Sequence, residues 1–219
     1  QRVYGRIFTV SGVISAFRRT ALHRIGYWSE QMITEDIDIS WRIQMDHWDI
    51  RYEPNAMCYI LMPETLKGLW RQRLRWAQGG VEVLMQHTAE LLNWRKRRMW
   101  GVLLEYSLSV VWAYTMALII ALWAIGKFAP LPDYLHVDTL LPRWHGMILG
   151  VVCLLQFAAS IIIDRRYEAH VGRNYYWMVW YPLAYWMLSM FATVVALPRT
   201  LFGSRRKCAV WTSPDRGIR

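Results

Sequence analysis

Charge is scarce in this chain, and so are cysteines and targeting signals. Only 19% of the 219 residues are charged, against 55% hydrophobic, and the mean hydropathy is +0.11. So apolar a composition excludes a disordered chain and a collagen-like repeat. The three cysteines, Cys58, Cys153 and Cys208, are odd in number and far apart, with no CxxC pair and no metal-ligand spacing. That excludes a disulfide mini-protein and reads as thiols facing a reducing compartment. No internal repeat or low-complexity stretch is present, and no early apolar run follows a basic flank, so no signal peptide is expected. The opening at Gln1 reads as a processed chain or a fragment.

What the chain does have is tryptophan (14), tyrosine (12), methionine (11) and a formal charge of +10. A basic balance suits nucleic acid, anionic lipid or a phosphorylated substrate. The charges divide the sequence. Residues 1–99 carry 15 Lys+Arg and 10 Asp+Glu among short apolar runs; residues 100–219 carry 11 and 6, gathered between long apolar blocks. The blocks run from Trp100 to Ile125, Trp144 to Ile163 and Tyr175 to Leu197, the last containing Pro182. Each approaches the length needed for a hydrocarbon core of roughly 30 Å. Trp94, Trp100, Trp144, Tyr175, Tyr176 and Trp177 cluster at the block ends, as in an aromatic belt. Because the basic clusters border these blocks, nucleic acid is the least expected partner and membrane lipid the most.

The distribution of Lys and Arg predicts orientation. Arg95-Lys96-Arg97-Arg98 precede the first block, and Arg165, Arg166 and Arg173 lie between the second and third. The 126–143 loop has only Lys127 and Arg143, against Asp133 and Asp138. The polar half and the 164–174 loop are therefore expected in the cytoplasm. The tail brings a conflict. Arg199, Arg205, Arg206, Lys207, Arg216 and Arg219 also favour the cytoplasm, yet three full crossings put them outside. Either the charge rule fails here, or the third block, bent near Pro182, is interfacial.

In the polar half, residues 6–16 read as a strand broken at Ser11-Gly12, and Ala16 to Ile25 as a short helix. Thr34-Glu35-Asp36 reads as a helix start, with Thr34 as cap and the acids complementing the helix dipole. Asp49 to Met62 is strand-like. From Thr65 a 3.6-residue stripe (Leu66, Trp70, Leu74, Ala77, Val81, Leu84 or Met85, Thr88, Leu91) predicts an amphipathic helix along the cytoplasmic membrane surface, with a weak point or bend at Gly79-Gly80.

Two clusters can carry chemistry. Glu35, Asp36 and Asp38 put three carboxylates in four residues, fit for a general base or a metal site, or merely for capping. Arg71, Arg73 and Arg75 beside Trp76 form either a lipid-facing patch or a guanidinium site for a diphosphate with a flat apolar face for a sugar.

T-E-D at 34–36 and Q-R-L-R-W at 72–76, in that order and followed by a basic amphipathic helix and membrane blocks, resemble the processive family 2 glycosyltransferases: cellulose, chitin, hyaluronan and poly-N-acetylglucosamine synthases. The runs SGVISAFRR, TEDIDISWRI and PETLKGLWRQRLRWAQGG are most similar to the poly-β-1,6-N-acetyl-D-glucosamine branch. The resemblance implies an α/β plus membrane α-helical fold. Residues 1–64 would be the C-terminal part of a GT-A type cytoplasmic domain, 65–99 the interface helix region, 100–198 the membrane region and 199–219 a basic tail or gating loop. It implies inverting transfer from UDP-GlcNAc to a growing glycan. Asp36 would be the base, Glu35 and Thr34 would position it, Arg75 would meet the departing diphosphate, Gln72 would support the motif and Trp76 would stack on the acceptor. Trp211 and Arg216, within W-T-S-P-D-R, would close over the nucleotide, unless the segment is simply a disordered basic tail.

Mg²⁺ or Mn²⁺ would be held by an acidic pair in a preceding donor-binding half. No such pair occurs in residues 1–33, so no metal ligand is expected in this chain, and alone it is expected to be inactive. The resemblance also allows a small PgaD-like membrane subunit, activation by cyclic di-GMP and a multi-pass location in a bacterial inner membrane. Another membrane family 2 synthase (hyaluronan, chitin or cellulose), a non-processive transferase acting on a lipid acceptor, and a non-catalytic membrane anchor or lipid-binding subunit are the competing readings.

Overall fold

A computed structural model describes residues 6–140, 144–168, 170–178, 180–203 and 208–209. The chain forms two compact units, one from residues 1–113 with 191–219 and the other from 114–190. The helices in chain order are α1 (Arg19–Ile25), α2 (Glu35–Met45), α3 (Leu66–Leu91), α4 (Trp100–Gly126), α5 (Trp144–Asp164), α6 (Tyr175–Met178) and α7 (Tyr181–Phe202). A 3-10 segment over Trp94–Met99 links α3 to α4.

The described residues contain no strand, so the strands expected at 6–16 and 49–62 are corrected to irregular chain with bends at 12–14 and a turn at 54–55. A strand needs a neighbour to complete its hydrogen-bond ladder, and neither segment meets one among the described residues. Segment 6–10 instead finds partners on α2. The Gln44 amide donates to Ile7 O at 2.8 Å and accepts from Ile7 N at 2.9 Å, Trp41 Nε1 donates to Phe8 O at 3.0 Å, and Val10 N donates to Ser40 Oγ at 2.9 Å. Side chains of one helix thus replace a strand's ladder. Segment 49–62 leaves Tyr52, Tyr59, Ile60 and Leu61 exposed.

The first helix begins at Arg19, later than expected, and ends on Gly26. There φ is +76°, and Gly26 N and Tyr27 N close onto His23 O and Leu22 O. This is the left-handed termination that glycine favours. Helix α2 ends with Lys96 Nζ donating to Met45 O at 2.6 Å, a cation on the negative helix end. Ile37, Trp41 and Met45 of α2 form the core with Val83 and Leu91 of α3, Met99 and Val102. Their 4-residue spacing on α2 supplies one apolar face.

Thr65 caps α3, accepting from Gly68 N at 3.0 Å. The predicted stripe holds at Leu74, Val81 and Leu91, which are buried, but Leu66 is exposed, while Val83 and His87 join the buried face. Helix α3 runs unbroken through Gly79-Gly80. Of the apolar blocks, the first two coincide with α4 and α5. The third is interrupted after Met178 and resumes as α7, with Pro182 in the first turn, where proline is tolerated. Among the described residues three helices are long and apolar enough to cross a membrane: Trp94–Gly126, Gly146–Asp164 and Leu183–Phe202.

Candidate active site

The T-E-D residues sit where α2 begins and where its first turn rests on α3. A β-carbon added at Gly79 would lie 2.3 Å from both Thr34 Oγ1 and Thr34 Cγ2, so only glycine allows this approach. Gly79 is four residues beyond Arg75 and three beyond Trp76, which places all three on one side of α3. The close contact therefore seats T-E-D over the same side of the helix that carries Arg75 and Trp76. Next along α3, Gly80 makes the same room for Tyr106, whose Oη would be 2.3 Å from an added β-carbon.

The expected cap by Thr34 does not form: its side chain accepts no hydrogen bond from α2. Its hydroxyl is pressed toward α3 instead, buried and without a hydrogen-bond partner. Asp36 is half-buried, and its Oδ1 accepts from Ile37 N at 2.9 Å. Its other oxygen faces the 11–13 turn, where a β-carbon at Gly12 would come within 3.3 Å of Oδ2. Ser40 holds that turn's approach, donating to Asp36 O at 2.5 Å while accepting from Val10 N.

Burial pushes the Asp36 carboxyl above its ordinary value of 3.8, and the neighbouring Glu35 charge adds to this. The Ile37 amide and the Arg75 guanidinium pull the other way. A carboxylate so placed holds a proton more readily than an exposed one, a property of general bases, while still feeling the cation of the second motif.

Asp38, two residues on, has a different fate. It is 2% exposed, with Oδ1 2.7 Å from His87 Nε2 and Oδ2 accepting from Arg42 Nη1 at 3.1 Å. Arg42 also donates to Ile25 O, so one network joins α1, α2 and α3. The three carboxylates therefore do not converge. Glu35 is exposed, Asp36 faces Gly12 and Asp38 is engaged by His87 and Arg42. Among the described residues no group of three or more His, Cys, Asp or Glu could hold a metal ion, and the donor set at 34–38 does not fit one.

In the second motif, Gln72 is half-buried with Oε1 unpartnered, and Arg75 is half-buried. Trp76 is 42% exposed, with the Arg73 guanidinium 4.3 Å from its ring centroid. The three arginines are thus distinct: Arg71 exposed, Arg73 on the indole, Arg75 acting on Asp36. Trp211 and Arg216 lie outside the described residues.

Sequence reasoning missed Gly12, Gly79 and His87. The two glycines read as breaks, although a glycine within an otherwise regular helical stripe is also the signal of a close approach. His87 carried a signal as a polar residue near the apolar stripe, one turn before Leu91.

Residues 1–197 match the glycosyl transferase family group 2. The chain is 35% identical, over 217 residues, to poly-beta-1,6-N-acetyl-D-glucosamine synthases of Staphylococcus epidermidis and of Staphylococcus aureus strain COL. The match covers 99% of this chain and 53% of those relatives, so the chain spans about half their length. No solved structure matches. A family match over residues 1–197, with 35% identity to these relatives along nearly the whole chain, makes this chain a member of glycosyl transferase family group 2.

Proposed function

We propose that this chain forms the acceptor-side and membrane part of an inverting, processive synthase that polymerises N-acetylglucosamine from UDP-GlcNAc into poly-β-1,6-GlcNAc and passes it across a bacterial inner membrane. The observation that carries the reading is the seating of T-E-D on Gly79, beside Arg75 and Trp76. Asp36 takes the proton from the acceptor's primary hydroxyl as that oxygen attacks the donor's anomeric carbon from the face opposite UDP. The bond to the diphosphate oxygen breaks, UDP departs with the electron pair, and Arg75 meets the charge that develops there. Trp76 offers its open indole face to the acceptor sugar. Thr34 and Gln72, each with a side-chain oxygen that finds no protein partner, position the substrates or the base.

Any divalent ion and the donor's uridine belong, in this reading, to the α/β donor-binding half of a full-length synthase, and no step above is routed through a metal. A small membrane subunit and cyclic di-GMP act on that full-length enzyme as regulators.

In this reading the tail lies on the cytoplasmic side as a gate, with Trp211 and Arg216 closing on nucleotide. What supports this is Ala209 N donating to Glu30 O at 2.8 Å, beside a hollow of about 280 Å³ lined by Trp28, Ile33 and Glu35. Cys58 and Cys208 are both exposed and report it directly. In intact cells both should resist a membrane-impermeant thiol reagent until the membrane is broken. Labelling of Cys208 from outside would make α7 a full span and remove the gate.

The decisive experiment is incorporation of radiolabelled UDP-GlcNAc by membranes holding a full-length synthase that carries this segment. Asp36→Asn should lower polymer about 10²–10⁴-fold with protein level unchanged. Near-normal synthesis would reduce Asp36 to a helix-start acid, and short lipid-linked products from the unaltered enzyme would favour a non-processive transferase.

A further inference from the structure

The unit formed by 114–190 carries a second concave site, unrelated to the T-E-D helix. A hollow of about 450 Å³ opens where α5 ends and the 3-10 turn Val171–Asn174 leads into α6. One wall is apolar: Ala158, Ile161 and Ile162, from the last two turns of α5. The opposite rim is cationic or polar: Arg165, His170, Arg173 and Tyr175. Tyr175 Oη donates to Leu154 O at 3.2 Å, which fixes α6 against α5 and holds the hollow's shape.

Three features separate this from a solvated charge run. The two acids of the segment, Asp164 and Glu168, do not line the hollow. Among the described residues neither Arg165 nor Arg173 forms an ion pair, whereas the third arginine, Arg166, turns to Tyr167, its guanidinium 4.4 Å from that ring. And the apolar wall is the end of a 19-residue stretch, Gly146–Asp164, long and apolar enough to cross a membrane; a helix that crosses there puts the hollow where hydrocarbon gives way to water.

The geometry points to a binding site for one anionic phospholipid, the phosphate held by Arg165 and Arg173 with His170 beside them, and the upper acyl chain against Ile161 and Ile162. Two guanidinium forks suit a phosphodiester, and basic pockets at span ends are where such headgroups bind. A free phosphate would use the rim and leave the apolar wall idle, so the lipid is the occupant that accounts for both sides. This site does not depend on the synthase reading.

The test uses the chain itself, extracted in mild detergent from bilayers of equal phosphatidylglycerol and phosphatidylcholine, with retained lipid counted by mass spectrometry. Phosphatidylglycerol should be enriched. Arg165→Gln and Arg173→Gln should each lower that enrichment about fivefold, Arg165→Lys with Arg173→Lys should keep it within about twofold, and Arg166→Gln should leave it unchanged. Millimolar inorganic phosphate should not release the lipid. Equal loss in Arg166→Gln would make the effect general surface charge, and complete release by phosphate would make this a site for a free anion; either overturns the proposal. A photoactivatable phosphatidylglycerol, used on the unaltered protein, removes any question of variant folding. It should crosslink at Ile161, Ile162 or Tyr175, and crosslinks only elsewhere would overturn the site.

Discussion

The contact of α2 with α3 and the helices of residues 114–190 follow opposite rules. In the contact, individual atoms decide. Gly79 and Gly80 are glycine because a β-carbon would come within 2.3 Å of Thr34 or Tyr106, and Asp38 is buried because His87 and Arg42 both reach it. In 114–190, Leu118, Ile148, Leu155 and Ile162 are large and exposed, and their shared property is apolarity. In the first region a residue is chosen by what it touches, and in the second by the solvent it meets. The two regions should therefore respond differently to the same size of change. Small steric changes should be costly in the first and free in the second.

The largest separation is expected at the second motif. Under the proposed mechanism, in which Arg75 meets developing charge, Arg75→Ala should lower polymer synthesis about 10²–10³-fold in a full-length synthase. Arg71→Ala, at an exposed position, and Arg73→Ala, which uncovers the Trp76 ring, should lower it far less. Similar, mild losses at all three would mean the arginines serve a lipid surface, and the atom-by-atom rule would not extend to this face of α3.

The next largest effect contrasts two carboxylates on one helix. His87→Ala leaves Asp38 buried with Arg42 alone, and losing a hydrogen bond to a buried charge costs about 1.5–3 kcal/mol. Thermal unfolding of the detergent-solubilised protein should show it. Asp36→Asn should be neutral or stabilising in the same assay. Its carboxyl is raised above 3.8, so the folded protein holds that proton more tightly than the unfolded chain does. Stability therefore falls as pH rises through the interval between the ordinary and the raised value, and at neutral pH the charge opposes folding. A destabilised Asp36→Asn would mean that Asp36 serves the fold as Asp38 does.

A methyl group is the next probe. Gly79→Ala should cost about 1–3 kcal/mol, because Thr34 or the whole first turn of α2 must move. Adding Thr34→Ala removes Oγ1 and Cγ2, the two atoms at 2.3 Å, and should restore part of the loss. Full additivity of the two substitutions would show that they are not in contact.

The same division decides what was legible in the sequence. The blocks at 100–125 and 144–163 could be read almost to the residue, because solvent class is a local property of composition. The start of α2 was legible from its acids. The strands at 6–16 and 49–62 were not, since a ladder depends on a partner far away. Segment 6–10 took its partners from Ser40, Trp41 and Gln44, side chains 30 to 37 positions distant. The T-E-D and Q-x-x-R-W motifs were visible as strings, but their juxtaposition depends on Thr34 meeting Gly79, and Gly79 read alone looks like a weak point. His87 faces a partner 49 residues earlier, beyond the reach of any periodicity.

The smallest expected effect is the sharpest test of the second rule. Leu118 lies well inside α4, in the apolar stretch of 94–126, and is 58% exposed. Leu118→Ile keeps the number of carbons and the apolarity and moves one branch point. At a packed position such a swap costs up to about 1.5 kcal/mol, because the neighbours fit one shape. Facing lipid, the side chain has no fixed neighbours, and the change should fall within about 0.5 kcal/mol, where unremarkable surface substitutions lie. Helix propensity shifts only slightly toward the unfavourable side with a β-branched residue. The measurement is the melting temperature of the detergent-solubilised protein beside that of Gly79→Ala. A Leu118→Ile loss as large as that of Gly79→Ala would show that Leu118 packs against protein in the assembled molecule, and the contrast between the two regions would have to be redrawn around that contact.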